Sequence, residues 1–217
     1  MKALILKDLY NISHNAKQML VILIFFAVCF IPSSGVYGYA VAACFLCSMM
    51  IVTTFSFDQM SHWEKYALIL PITKKDYIKG KFVVTAIFTS VGAVFALILG
   101  TVTIPFLHKN NVLEAFLSIG IGMYIGLIFG FLSIMFVIKF GVENARTITM
   151  LVVAVPVVLI TLIVLGVKKM GVKISDVERI SGTVPIAVWI FLIFAIFFFI
   201  FAISYKMSLY WFSKKEW

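Results

Sequence analysis

Few residues of this chain are of the types that carry out metal, redox or acid–base chemistry. Cys44 and Cys47 have the CxxC spacing that can bind a metal ion or form a redox-active disulfide, but no histidine or carboxylate stands near them in the sequence. With Cys29 they lie in apolar runs, where a cysteine behaves as a small hydrophobic residue. The histidines stand apart from one another in polar segments, at His14, His62 and His108. The sequence therefore predicts no catalytic residue and no metal site.

Sequence motifs of common enzymes are missing as well. The chain has no glycine-rich phosphate loop followed by Lys-Ser or Lys-Thr, so it is not expected to hydrolyse a nucleotide by that route. GxSxG and HExxH, which mark serine hydrolases and zinc proteases, do not occur either. We therefore do not expect this chain to be an enzyme.

The long polar and basic stretch at residues 58–81, which we call the elbow, lies between two very apolar runs. Its first part has apolar residues spaced like one face of a helix, namely Met60, Trp63, Ala67 and Leu70. Pro71 ends that helix because it has no backbone N–H to continue it. The sequence predicts a short amphipathic helix before the proline.

The second part of the elbow begins a new helix. Thr73 and Asp76 have the spacing of a capping box, in which a hydroxyl and a carboxylate bond to free N–H groups of the first turn. This helix can continue into the next apolar run, so the elbow has the shape of a lever suited to transmitting force. The alternative is a long anchored loop, with Trp63, Tyr66 and Tyr77 at the level of the lipid headgroups.

The composition indicates the class of protein to which these segments belong. The chain has 217 residues, of which 63% are hydrophobic and 12% are charged, and its mean hydropathy is +1.13. It is too apolar for a soluble domain, and we predict a single all-α integral membrane domain over residues 1–217. The formal charge of +9 comes from basic residues at the ends of apolar runs, so we expect no nucleic acid partner.

The apolar runs predict six transmembrane helices. A hydrocarbon core of about 30 Å needs about 20 apolar residues in a helix. The uncharged run from Met19 to Phe57 is long enough for two such helices, joined by a turn at Pro32-Ser33-Ser34-Gly35. The predicted spans are residues 19–32, 36–57, 82–107, 115–138, 147–167 and 184–205.

The first eighteen residues predict an interfacial amphipathic helix ahead of these spans. Leu4, Ile5, Leu9 and Ile12 fall on one helical stripe. The charged residues fall largely away from that stripe, at Lys2, Lys7, Asp8 and Lys17. We therefore expect residues 1–18 to lie on the membrane surface, in contact with lipid.

Lysine and arginine counts predict the orientation of the chain. With a cytoplasmic N-terminus, thirteen of these residues lie on the inner side and five on the outer side. We therefore expect both termini and the elbow in the cytoplasm. The outer loop at residues 168–183 is itself basic, and its role stays open.

The predicted fourth span carries Gly122, Gly126 and Gly130 at four-residue spacing. Small residues on one face of a helix let a second helix approach closely. We expect this glycine face to pack against another span or against a second copy of the chain.

The predicted spans contain no Asp, Glu, Lys, Arg or His. An ion-coupled carrier usually needs such a group to bind its proton or cation, although sodium sites can be built from backbone carbonyls and hydroxyls. Secondary transport is therefore disfavoured. The energy source is expected on the cytoplasmic side, in a separate ATPase subunit.

The elbow and the N-terminal segment resemble the signature regions of ABC-2 type permeases, particularly the compact group that includes the phenol-soluble-modulin exporter permeases. The matching residues keep the order and spacing of that group: Phe57, Asp58, Trp63, Tyr66, Leu70, Pro71, Lys74 and Lys81. Lys7-Asp8 resembles the basic-acidic pair common near the N-terminus of the group. Gln59 stands where Glu is usual, and Lys74 stands where Arg is frequent.

The resemblance implies a half-transporter of the bacterial cell membrane that dimerises with itself or with a close paralogue. In such a transporter the elbow is a coupling helix in a cleft of a cytoplasmic ATPase subunit, which binds ATP and magnesium, whereas this chain binds no cofactor. Trp63 and Tyr66 would insert into the ATPase, and Pro71 would fix the angle of the elbow. The implied ATPase-coupling residues are Asp58, Trp63, Glu64, Tyr66, Leu70, Pro71 and Lys74.

The expected function is ATP-driven export of amphipathic peptides, toxins or antimicrobial compounds. Two alternatives stay open. An immunity protein that sequesters a peptide in the membrane would not depend on ATP, and an ion-coupled carrier would follow a proton or sodium gradient without an ATPase. The sequence assigns no residue to substrate binding.

Overall fold

A computed structural model of the chain shows long helices packed side by side. It describes residues 2–13, 15–63, 66–67, 73–107, 112–145, 147–148, 150–151, 158, 161–162 and 186–214. The helices are α1 (Lys2–Ser13), α2 (Ala16–Met60), α3 (Lys74–Leu107), α4 (Val112–Phe140) and α5 (Ile186–Lys214). The described ranges contain no strand, so the structure is all-helical, as predicted.

Helix α2 is interrupted at Gly35, where φ is 68° and ψ is −164°. Glycine has no Cβ to clash in this conformation, so it permits a sharp change of direction that other residues resist. A straight helix of 45 residues would be about 67 Å long. Yet Lys7 of α1, which precedes the N-terminus of α2, pairs with Asp58 near the C-terminus of α2. The two arms of α2 therefore fold back on each other, and both ends lie at the same end of the bundle.

The predicted number of six spans is not confirmed. Four of the described helices are long and apolar enough to cross a membrane, namely α2, α3, α4 and α5. The predicted spans at 19–32 and 36–57 are the two arms of the interrupted α2. Most of the predicted span at 147–167, including Pro156, lies outside the described residues.

The start of α3 confirms the Thr73 N-cap predicted in the elbow, but only one of the two backbone bonds of a capping box is present. The Asp76 N–H donates to Thr73 Oγ1 at 3.1 Å, and Thr73 Oγ1 donates to Asp76 Oδ2 at 2.7 Å. The first bond satisfies a backbone N–H at the start of the helix, whereas the second joins the two side chains to each other. The 34 residues of α3 then continue to Leu107, a length of about 51 Å. Since the hydrocarbon core is only about 30 Å thick, α3 is long enough to extend beyond it.

The C-terminal arm of α2 packs against α4 at the glycine face. A Cβ added at Gly122 would lie 2.8 Å from the Ala40 carbonyl oxygen, and one at Gly126 would lie 3.0 Å from the Cys44 carbonyl oxygen. A Cβ at Gly130 would overlap the Ser48 hydroxyl. At Gly122 and Gly126 the face thus lies directly against the backbone of α2, an approach that the absence of a side chain permits.

Helix α5 attaches to the outside of α4. The Ser204 hydroxyl donates to the Phe131 carbonyl oxygen of α4 at 2.6 Å, a bond that satisfies a buried hydroxyl in apolar surroundings. Much of the rest of α5 exposes large apolar side chains, among them Phe191, Phe194, Phe198 and Phe199. Such a surface is compatible with lipid and unsuited to water.

Helix α1 is docked on the bundle by one of its faces. Leu4, Asp8 and Ile12 are buried on that face, against the end of α2 and the start of α3. The prediction that Asp8 lies away from the apolar stripe is therefore wrong. Its carboxylate can be buried on this face because it forms an ion pair with Lys81 of α3. Leu6 and Tyr10, on the other side of α1, are exposed.

Candidate functional site

Four charged side chains meet where the elbow joins the helix bundle. Lys81 Nζ of α3 lies 2.6 Å from Asp58 Oδ2 of α2 and 3.0 Å from Asp8 Oδ2 of α1. Lys7 Nζ pairs with Asp58 Oδ1 and lies 3.2 Å from Asp8 Oδ1. Each lysine thus contacts both carboxylates. We call these four residues the ion-pair cluster.

The ion-pair cluster is buried and electrically neutral. The side chains of Asp58 and Lys81 are 1% and 2% exposed, whereas Lys7, at the edge, is 22% exposed. Buried charges are costly unless each has a partner of opposite sign and further hydrogen bonds. The two lysines and two aspartates satisfy this requirement together, because their charges sum to zero. Loss of any one of the four would leave a net charge in the cluster.

Neutral polar groups and aromatic rings complete the surroundings. The Lys81 ammonium donates to Thr54 Oγ1 at 3.1 Å and lies 4.7 Å above the Phe55 ring. The Tyr77 hydroxyl donates to Asp58 Oδ2 at 3.0 Å, and the Tyr77 ring stacks on Phe212 of α5 at 5.1 Å. The cluster therefore joins α1, α2 and α3 by ion pairs and reaches α5 through a ring contact.

Trp63 lies just above this cluster, in the described part of the elbow. It is half-buried and packs on the apolar core that surrounds the cluster. The Lys7 ammonium lies 4.6 Å from its ring centroid, a cation–π distance. Its indole N–H is buried with no hydrogen-bond partner among the residues that the structure describes. The contacts with Lys7 and with the apolar core therefore hold the Trp63 ring against the bundle.

The other predicted coupling residues differ in their exposure. Tyr66 is 61% exposed. Lys74 is exposed, and its ammonium lies 3.4 Å from the Ser213 carbonyl oxygen of α5. Glu64, Leu70 and Pro71 lie outside the described residues. Asp58, also predicted to couple to an ATPase, has its carboxylate turned into the bundle, where it contacts residues of its own chain.

The surface beside Trp63 has two cavities separated by Met60, whose side chain is 79% exposed. One cavity, of about 490 Å³, is lined by α1 and the end of α2, including Asn11 and Trp63. The other, of about 460 Å³, is lined by Gln59, His62 and Glu143 among others. An exposed methionine between two recesses is a shape that can interlock with a partner surface, since methionine adapts to irregular contacts.

The ion-pair cluster was not predicted from the sequence. The predicted spans were free of charge because they ended at Phe57 and began again at Phe82, whereas α2 and α3 continue through Asp58 and Lys81. A signal was present in the sequence: Asp58 and Lys81 border the elbow at its two ends. Lys7 and Asp8, in the segment before the first apolar run, carry the charges that pair with Asp58 and Lys81 respectively.

The site is suited to holding helices together rather than to metal binding. The described residues contain no group of three or more His, Cys, Asp or Glu side chains placed to hold a metal ion. Both carboxylates already have cationic partners, so neither is a vacant site for a transported cation. The arrangement fixes the position of the two helices from which the elbow arises.

Comparisons with known proteins identify the family. A family model described as "ABC-2 family transporter protein" matches residues 3–213. No curated protein matches the chain, and no solved structure matches it. The family match covers α1, the elbow and all four candidate spans, and so includes every residue of the ion-pair cluster.

Proposed function

The chain belongs to the ABC-2 transporter family, and we propose that it is the permease subunit of an ATP-binding cassette exporter. In this proposal a separate cytoplasmic ATPase binds ATP and magnesium and docks on the elbow. This chain forms the path through the bacterial cell membrane. Its cargo is an amphipathic peptide, toxin or antimicrobial compound.

The observation that carries the proposal is the attachment of the elbow to the bundle. Asp58 at the end of α2 and Lys81 near the start of α3 are paired directly and share the partners Lys7 and Asp8. A force on the elbow therefore reaches α1, α2 and α3 together. A loosely attached loop would absorb the same force, because its two ends could separate.

The docking surface proposed for the ATPase is centred on Met60, Trp63 and Tyr66. The ring of Tyr66 and the side chain of Met60 are exposed, and the two cavities beside Met60 can receive side chains of the partner. Large exposed apolar side chains of this kind usually dominate the energy of an interface. Trp63 supports the surface from below through its contacts with Lys7 and the core.

Further parts of the proposal rest on the family and on charge. Both termini lie in the cytoplasm, in accordance with the excess of lysine and arginine on that side. A second copy of the chain or a close paralogue completes the transporter. The described spans expose apolar side chains outward and have no unpaired carboxylate inside, which suits ATP-driven transport better than coupling to an ion gradient.

Co-purification with the candidate ATPase tests the proposal. The complex is isolated with the wild-type chain, with Trp63→Ala and Tyr66→Ala, and with Tyr210→Ala as a control for an exposed tyrosine outside the elbow. ATP hydrolysis is then measured in lipid with and without an amphipathic peptide. We expect a complex that depends on Trp63 and Tyr66 and hydrolysis that the peptide stimulates.

Other outcomes would favour the alternatives. If no ATPase binds and the chain still protects cells against the peptide, sequestration explains the protection. If transport follows a proton or sodium gradient with no ATPase present, the chain is an ion-coupled carrier. Either result would overturn the exporter assignment.

A further inference from the structure

A groove of about 590 Å³ opens on the side of the bundle between α3 and α5. Most of its wall is apolar and aromatic, and α4 contributes one residue, Phe131. Phe82 lies within ring-contact distance of three of the other aromatic residues, at 5.0 to 5.7 Å between centroids. The residues that line the groove are Lys79, Phe82, Val83, Ala86, Phe131, Phe201 and Tyr205.

The groove continues along α3, away from the elbow. A second recess of about 460 Å³ shares Val83 and Ala86 with the first and extends past Ser90 to Val94. From Lys79 to Val94 the helix rises by about 22 Å. Half of a hydrocarbon core is about 15 Å thick. The combined groove is thus long enough to accompany an acyl chain through one leaflet.

The polar side chains of the first recess, Lys79 and Tyr205, both belong to the end of the bundle that carries the elbow. Lys79 comes one turn before Phe82 on α3, and the Tyr205 ring lies 5.7 Å from the Phe82 ring. The Lys79 side chain is exposed, and within the described part of the chain it has no ion pair or hydrogen bond. Nearby Lys81, in contrast, is fully engaged in the ion-pair cluster.

We propose that this groove binds one anionic phospholipid, with its phosphate at Lys79 and Tyr205 and an acyl chain along Phe82, Ala86 and Val94. A single ammonium at one end of a long apolar wall matches a molecule with one anionic head and an apolar tail. A zwitterionic lipid fits the wall equally well but carries its own cation beside the phosphate, so it gains less from Lys79. Basic pockets between membrane helices select anionic headgroups for this reason.

Native mass spectrometry of the purified full chain tests the proposal. The protein is exposed to equal amounts of phosphatidylglycerol and phosphatidylcholine of the same acyl composition, and the retained lipid is counted. We expect about a fivefold preference for phosphatidylglycerol. Lys79→Gln should bring the two lipids to parity. Lys75→Gln is the matched control, because Lys75 is exposed on the same helix but does not line the groove.

A second pair of variants tests the position of the acyl chain. Ala86→Trp fills the point where the two recesses join and should reduce retention of both lipids. Val102→Trp, at an exposed position of α3 outside the groove, should leave retention unchanged. Size-exclusion elution and helical circular dichroism verify that each variant is folded.

Three results would overturn the proposal. Equal retention of both lipids by the wild-type chain would show that Lys79 selects no headgroup. An equal loss in Lys75→Gln and Lys79→Gln would mean that surface charge in general attracts the lipid. A change of oligomeric state in Ala86→Trp, with lipid retention intact, would mean that a second copy covers the groove. None of these measurements involves the ATPase, so failure here is distinct from failure of the exporter assignment.

Discussion

Lys81 Nζ and Asp58 Oδ2 lie 2.6 Å apart in the interior of the protein, although the whole elbow separates them in the sequence. Both side chains are almost completely buried. The pair closes the elbow at its base, and each member has a second charged partner in α1. The ends of α2 and α3 are therefore held at a fixed separation.

Replacing Lys81 by methionine is expected to destabilise the protein by about 3 to 5 kcal/mol, because two buried carboxylates then share Lys7 alone. The measurement is the free energy of unfolding in mild detergent. Lys75→Met, at an exposed position on the same helix, should change it by less than about 0.5 kcal/mol.

A double-mutant cycle shows whether this cost comes from the pair. In Asp58→Asn/Lys81→Met the carboxylate and the ammonium are removed together, and Lys7 with Asp8 remains as a neutral pair. We expect the double variant to be more stable than the sum of the single variants predicts, by at least about 1 kcal/mol. Additive effects would contradict direct coupling between the two side chains.

Tyr66→Ala is expected to weaken ATPase binding without weakening the fold. Because Tyr66 is 61% exposed, its loss should change the free energy of unfolding by less than about 0.5 kcal/mol. As a central contact, Tyr66 should contribute enough that its loss weakens the free energy of ATPase binding by about 2 kcal/mol or more. Titration of the ATPase onto the immobilised chain measures this change, and full affinity in the variant would remove Tyr66 from the interface.

Gly122→Ala and Gly120→Ala should have opposite effects on stability. An added Cβ at Gly122 would lie 2.8 Å from the Ala40 carbonyl oxygen, and a backbone atom cannot move aside as a side chain can. Overpacking of this kind costs about 1 to 3 kcal/mol. At Gly120 nothing lies within 4 Å of the added Cβ, so the gain in helix propensity, up to about 1 kcal/mol, should remain. The midpoint of thermal unfolding of each variant, compared with the wild type, tests this prediction. Equal destabilisation of both variants would be inconsistent with the close contact at Gly122.

Thr73→Ala should destabilise the first turn of α3 by about 1 kcal/mol, because the Asp76 N–H loses its bond to the hydroxyl and keeps only its bond to the Thr73 carbonyl oxygen. Hydrogen exchange at the Asp76 amide should become about fivefold faster. Thr73→Ser keeps the hydroxyl and should exchange like the wild type. Unchanged exchange in Thr73→Ala would show that the cap does not hold this turn.

Features that depend on neighbouring residues were accessible from the sequence. Thr73 and Asp76 are close enough along the chain for their spacing to specify the cap, and the spacing of Gly122 and Gly126 specifies a face without side chains. The sequence left open what would cover that face; in the structure it is the C-terminal arm of α2. Gly35 also interrupts α2 within the tetrapeptide where a turn was predicted.

The charged site was not accessible in this way. The partners of Asp58 come from α1 and α3, and the pattern of a single helix carries no information about which distant charge will face it. Asp8 shows the difficulty most clearly. We predicted it away from the apolar stripe, whereas in the structure it is buried beside Leu4 and Ile12. Its partner Lys81 lies 73 residues further along the chain, so the spacing within α1 could not reveal the pair.

Synthesis of the chain proceeds from the N-terminus, so Lys7, Asp8 and Asp58 leave the ribosome before Lys81 does. Until Lys81 has been synthesised, the cluster consists of one positive charge on Lys7 and two negative charges on Asp8 and Asp58. Burying these three residues would leave one carboxylate without a cationic partner of its own. Docking of the N-terminal helix onto the folded-back arms of α2 is therefore unfavourable before Lys81 is present. Docking of this helix therefore becomes favourable only when the start of α3 supplies Lys81, so we expect the cluster to close after α3 has been synthesised.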